Sequence, residues 1–135
     1  MIYLTKRQKD IFGKIDDSTG ISQWRDWKWQ LRHQIRDIET FENLLGVEFE
    51  PEERRQIEET AARFPIAITP YYLSLIDIEE MQNDPVFKQA FPMPYELDTC
   101  TSEMADPLSE DKDSPAPGIT HRYPDRVLFL VSNIC

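Results

Sequence analysis

Gly118-Ile-Thr-His-Arg-Tyr-Pro-Asp-Arg-Val-Leu-Phe-Leu-Val-Ser-Asn-Ile-Cys135 is the stretch on which the fold turns. Its second half, Val127-Leu-Phe-Leu-Val131, is a continuous apolar run between a charged residue and the polar Ser132-Asn133. That is the pattern of a strand buried on both faces of a parallel sheet. No earlier stretch has the same quality. A central strand leaves its backbone donors and acceptors unpaired unless other strands flank it. The run is therefore expected to be a single C-terminal strand, completed by another chain or by the rest of a longer protein.

Upstream of the strand the periodicity is helical. From Ser22, an N-cap candidate, Trp24, Trp27, Leu31 and Ile35 recur at three- and four-residue steps, which predicts one helix to about Arg36 with Trp29 off the stripe. Arg25, Lys28, Arg32 and Arg36 give it a basic flank. A second short helix is expected from Thr40, with Phe41, Leu44 and Leu45 inside and Gly46 as the stop. A third starts near Pro51, where Glu52 and Glu53 suit the positive end of the helix dipole, and buries Ile57, Ala61 and Phe64. Thr69-Pro70 and Asp84-Pro85 each read as a cap followed by a first-turn proline, before an apolar helix to about Asp77 and a short one to Ala90. Residues 1–20 hold a short helix at most.

Between Met93 and Gly118 the apolar period is lost, and Pro94, Pro107, Pro115 and Pro117 alternate with acids. The fold class expected of the chain is thus mainly α, with several short helices, a long coil connector and one C-terminal strand. It divides into a helical region 1–92, an extended acidic and proline-rich connector 93–118, and a turn plus strand 119–135.

The formal net charge is −10. Clustered Lys and Arg are what release counterions from a phosphodiester backbone, so nucleic acid is a poor partner. No apolar stretch is long enough to span a bilayer and no leader pattern precedes the first helix, so no membrane is expected and the reading is cytoplasmic. Cys100 and Cys135 are too few for a disulfide scaffold and lack the paired spacing of a zinc site. Ser109-Glu-Asp-Lys-Asp-Ser114 lacks the alternating oxygens and turn glycine of a calcium loop, so it is expected to be solvated. His33 is expected to be an exposed helix residue and His121 a turn residue within reach of the site.

Chemistry concentrates before and after the strand. Arg122, Tyr123 and Arg126 set two guanidiniums around a phenol, which suits forked hydrogen bonds to a phosphate while the ring shields a cofactor face. The same residues, with Asp125, also suit a salt-bridged turn that pins the strand entry. Cys135 stands at the carboxyl end of the strand, where ligands gather in parallel α/β sheets. It is a candidate cluster or metal ligand, or a buried structural thiol.

Trp24-Arg-Asp-Trp-Lys-Trp-Gln-Leu-Arg-His33, Ala67-Ile-Thr-Pro-Tyr-Tyr-Leu-Ser-Leu-Ile-Asp77, Asp84-Pro85, Asp106-Pro-Leu108, Pro117-Gly118 and His121-Arg-Tyr-Pro-Asp-Arg126, in this order, resemble the N-terminal part of the lysine 2,3-aminomutase family. These are radical S-adenosylmethionine enzymes that also use pyridoxal phosphate. The resemblance implies a partial (β/α) barrel of α/β class for a whole family member, in which residues 119–135 supply the cofactor-phosphate turn and first strand. It implies that Arg122, Tyr123 and Arg126 bind pyridoxal phosphate, with the arginines at its phosphate. It implies that Cys135 is the first of three thiolates of a 4Fe-4S cluster whose other ligands lie beyond this sequence. The implied activity interconverts L-α-lysine and L-β-lysine by radical 1,2-amino migration, with an amino acid as substrate and S-adenosylmethionine as radical source. The isolated chain, without the remaining ligands, is expected to be inactive. The implied assembly is a homo-oligomer with the N-terminal helices at subunit interfaces. Two alternatives remain: a stand-alone helical oligomerisation or interaction module without catalysis, and the glutamate 2,3-aminomutase branch.

Overall fold

A computed structural model describes residues 4–16 and 21–131, the side chain of Ile21 excepted. These residues fall into two compact units, one ending at Asp98 and the other beginning at Thr99.

The first unit is helical, and most of its helices open on a side-chain cap. Helix α1 (Lys6–Ile15) opens on a capping box in which the Thr5 side chain accepts from the Gln8 N–H and the Gln8 side chain accepts from the Thr5 N–H. Helix α2 (Trp27–Arg32) is capped by Asp26, and α3 (Ile38–Leu45) by Asp37. Gly46 ends α3 in the left-handed conformation at φ 71°, as its sequence position predicts. Helix α4 (Pro51–Arg63) has Pro51 in its first turn, and Glu52 and Glu53 beside it. Thr69 caps α5 (Pro70–Leu73), and Asp84 caps α6 (Pro85–Ala90) with bonds from the Val86 and Phe87 N–H groups. An isolated antiparallel bridge, with Ile35 N to Ile68 O at 2.8 Å and Ile68 N to Ile35 O at 3.0 Å, ties the end of α2 to the approach to α5.

Two aromatic groups build the core between these helices. Phe41, Phe49, Phe87 and Phe91 stack with ring centroids 4.4–6.0 Å apart, and Phe12, Trp24 and Trp29 pack at 5.2–6.3 Å. Each such buried ring adds about 1.5–3 kcal/mol by leaving water, and offset or tilted ring pairs add further.

The tryptophan stripe departs from its expected form. Residues Ile21–Arg25 form a 3-10 turn, and α2 starts afresh after Asp26. The tighter 3-10 winding and the break at the cap rotate the faces, so a single 3.6-residue period does not run through both pieces. Trp24 and Trp29 are buried, whereas Trp27 is 64% and Leu31 47% exposed. The helix expected from Thr40 starts two residues earlier, at Ile38. The apolar helix expected to reach Asp77 is a single turn, with Leu73 and Ile76 buried and Tyr71 and Leu75 exposed.

The second unit carries an antiparallel hairpin, β1 (Ile119–Tyr123) and β2 (Arg126–Phe129), joined at Pro124-Asp125. The single strand expected to be buried on both faces of a parallel sheet is instead the second arm of this pair. Residues Val127 to Val131 are 53–85% exposed. Val127 to Phe129 pair with the nearest available backbone, Ile119 to Tyr123, whose His-Arg-Tyr character reads as a turn in the sequence. The register pairs Ile119 with Phe129, Thr120 with Leu128 and Tyr123 with Arg126. His121 and Arg122 therefore stand against Val127 alone, which makes a two-for-one bulge. Gly118 enters β1 at φ 78°, with its carbonyl accepting from Leu130 N at 2.8 Å. Two 3-10 turns, Pro94–Leu97 in the first unit and Glu110–Asp113 in the second, interrupt the proline-rich segment.

Candidate functional site

Bulges re-aim side chains, and the one in β1 lies beside a cleft of about 400 Å³ within the second unit. Arg122 and Tyr123 from β1, Arg126 from β2 and Leu108 and Glu110 from the preceding loop line it. The structure therefore brings all three sequence-predicted cofactor residues to one cavity. Arg126 closes the hairpin turn: its Nε lies 3.4 Å from Asp125 Oδ1, and its guanidinium carbon sits 4.9 Å from the centroid of the Tyr123 ring. Asp125 thus forms the turn and orients an arginine at once. A guanidinium over a phenol face gains from the ring quadrupole while its edge N–H groups stay available. Neither Pro124 nor Asp125 has a positive φ, so the turn is not of the mirror-image hairpin type, and the bulge supplies local twist instead.

Arg122 is held from the other side. Its Nη1 donates to the Leu108 carbonyl at 3.3 Å, using one of five N–H groups. Nothing in the sequence marks Leu108 as a partner, because the group used is a backbone carbonyl. Two guanidiniums fixed by different neighbours, one of them over a phenol ring, can take up the oxygens of a phosphate monoester by charge-assisted bonds.

The remaining candidates are placed elsewhere. Cys135 lies outside the described residues. His121 is on β1 and exposed, not in the turn. His33 is half-buried, not exposed as expected: at the end of α2 its Nδ1 is 2.8 Å from the Trp29 carbonyl and its ring lies 4.4 Å from the Trp29 ring. Cys100 is free and exposed, and the Ser102 hydroxyl holds its thiol below the usual thiol range. A larger cleft of about 550 Å³ in the first unit is lined by Lys14, His33, Thr40 and Asn43. Its one ammonium is committed to closing the carboxyl end of α3, with Lys14 Nζ 2.8 Å from Asn43 O and 3.1 Å from Leu44 O. The hairpin cleft is the stronger chemical candidate.

No family model matches the chain. Against the L-lysine 2,3-aminomutase of Methanococcus maripaludis it is 50% identical over 122 residues, which is 90% of this chain. This chain is related to the L-lysine 2,3-aminomutases. The lysine aminomutase of Acetoanaerobium sticklandii is also 50% identical, over 83% of the chain. The glutamate 2,3-aminomutase of Clostridioides difficile is less similar, at 36% over 98% of the chain. The matches take in 28%, 26% and 30% of these relatives, so the chain spans between a quarter and a third of their length. Relationship to the aminomutases, which are isomerases, agrees with the order of motifs from Trp24 to Arg126.

Proposed function

We propose that this chain is the N-terminal portion of an L-lysine 2,3-aminomutase, in which Arg122 and Arg126 grip the phosphate of pyridoxal phosphate and Tyr123 lies against the cofactor. The observation that carries the reading is 50% identity to a lysine aminomutase over 90% of the chain. The lower identity to a glutamate aminomutase favours lysine as substrate.

The residues fit the cofactor. Both guanidiniums keep N–H groups unused after their contacts to Leu108 and Asp125. The cleft, about 400 Å³, falls within the range of roughly 300–1,000 Å³ usual for small-molecule sites. When bound, pyridoxal phosphate would supply a conjugated π system over which the unpaired electron of a radical amino migration can spread. What this chain contributes is orientation: Asp125 and the Tyr123 ring fix Arg126, Leu108 fixes Arg122, and the hairpin holds both at one rim. In the same reading Cys135 is the first ligand of a 4Fe-4S cluster acting with S-adenosylmethionine, the other ligands being supplied from outside these residues. Residues 119–135 form the phosphate turn and first strand of a partial (β/α) barrel, residues 93–118 a connector and residues 1–92 the helical region.

The helical region is proposed to meet neighbouring subunits of a homo-oligomer. Trp27 and Leu31, four residues apart on α2, are exposed within a basic surround of Lys28 and Arg32. No helix among the described residues is long and apolar enough to cross a membrane. The free thiol of Cys100 suits a reducing, cytoplasmic compartment.

The test is an anaerobic assay of the complete protein with L-lysine, pyridoxal phosphate, S-adenosylmethionine and a reductant. β-Lysine is expected, and the 135-residue chain alone is expected to yield none. Formation of β-glutamate from L-glutamate without β-lysine would move the protein to the glutamate branch, and neither product would remove the enzyme reading.

A further inference from the structure

We propose that Asp106 is a positioning residue for Arg122, acting through the loop that presents the Leu108 carbonyl. The proposal rests on the reading of Arg122 as a phosphate ligand and adds a residue to it.

The loop is closed by Asp106 from both ends of its carboxylate. Oδ1 accepts from Glu110 N at 2.8 Å and Oδ2 from Asp111 N at 3.0 Å, while the Asp106 carbonyl accepts from Ser109 N at 3.2 Å. Pro107 fixes its own φ and removes one donor from the segment. Ser109 is held at φ 54°, the one positive φ among the described non-glycine residues. Serine adopts that left-handed conformation uncommonly, and surrounding bonds help to hold it there. Three bonds to a single residue do so here, and they leave the intervening Leu108 carbonyl in a fixed direction. That carbonyl is the acceptor for Arg122 Nη1 at 3.3 Å, and Leu108 and Arg122 both line the cleft. The carboxylate is ionised at neutral pH and both its oxygens accept, and the Asp111 and Glu110 N–H groups that it accepts from hold it below its ordinary value.

A guanidinium tethered at one N–H loses little further freedom when it takes a phosphate, and that preorganisation is what Asp106 contributes. A purely structural aspartate would affect any ligand of the cleft and would act whether or not Arg122 is present. Those two differences separate the roles.

The test measures binding of pyridoxal 5′-phosphate and of pyridoxal, which lacks the phosphate, to the complete protein by equilibrium titration. Asp106→Ala is expected to weaken pyridoxal phosphate about tenfold, in line with the loss of orientation of one charge-assisted bond, and to leave pyridoxal unchanged. Asp106→Asn, which keeps one acceptor, is expected to recover part of the loss and also serves if the alanine variant does not fold. In an Arg122→Ala background, Asp106→Ala is expected to have no further effect, since the two residues then share one interaction. Equal weakening of both ligands, or an effect that persists without Arg122, overturns the proposal. If Arg122→Ala leaves pyridoxal phosphate binding intact, the phosphate-site reading itself fails. If Arg122→Ala weakens binding and Asp106→Ala does not, only the present inference fails.

Discussion

The two units of this chain solve the burial problem in opposite ways. Up to Asp98, helices close around Phe41, Phe87, Leu73 and Ile76, none of which has measurable exposure. From Thr99 onward no described residue is buried, and the apolar arm of the hairpin faces water along its length. A two-stranded hairpin is marginal in water unless something covers a face. The first unit therefore carries its own stability, while the second carries polar chemistry on a scaffold held by backbone pairing and by the Asp106 and Asp125 contacts. Similar apolar content thus has different consequences, depending on whether the same chain supplies the opposing surface.

The largest effect that separates the units is a core truncation. In the 135-residue chain Phe41→Ala is expected to cost about 3–5 kcal/mol, whereas Phe129→Ala on the exposed arm is expected to change stability by no more than about 0.5 kcal/mol. Chemical denaturation followed by tryptophan fluorescence reports the first unit, which holds Trp24, Trp27 and Trp29, so a comparable loss from Phe129→Ala would mean that the hairpin is part of the same cooperative core. The next effect belongs to the site. Arg126→Ala is expected to weaken pyridoxal phosphate binding to the complete protein by about tenfold or more, with the unfolding midpoint unchanged. Unaltered affinity would sink the phosphate role and leave Arg126 as a turn residue only.

The smallest effect is a pH response confined to the second unit. The folded Asp106 carboxyl lies below its ordinary value of 3.8, so the turn it closes is supported above that pH and loses support as pH falls through the lower, folded value. In an acid titration of the Glu110 and Asp111 amide signals, the midpoint is expected below 3.8, with the Ile35 and Ile68 amides as an unmoved reference. A midpoint at or above the ordinary value would mean that the carboxylate does not hold the loop.

What could be read in advance follows the range of the interactions concerned. Gly46, Thr69-Pro70, Asp84-Pro85 and Pro51 each act within about four residues, and the helices start or stop there. The identity of the buried tryptophans did not follow, because the winding changes at Asp26 and a single helical period carries the wrong phase across it. The apolar run Val127 to Val131 signalled a strand correctly but not its partner or its exposure. Pairing is non-local, and a His-Arg-Tyr segment with a bulge has no alternation to announce it. In the site, the cationic and aromatic side chains were legible by type. Leu108 was not, because its contribution is a carbonyl, and Asp106 stood only within the Asp106-Pro-Leu108 motif, with no role of its own.

The closed core also bears on how the protein is made. Among the described residues every ring-on-ring contact lies between Phe12 and Phe91, so the residues of that core have been synthesised before the hairpin is translated. Chains fold from the amino terminus as they emerge, so the helical unit can be finished while the ribosome still holds the apolar strand. The interval in which exposed strand backbone invites pairing with another molecule then begins late, on a chain whose first part is already folded.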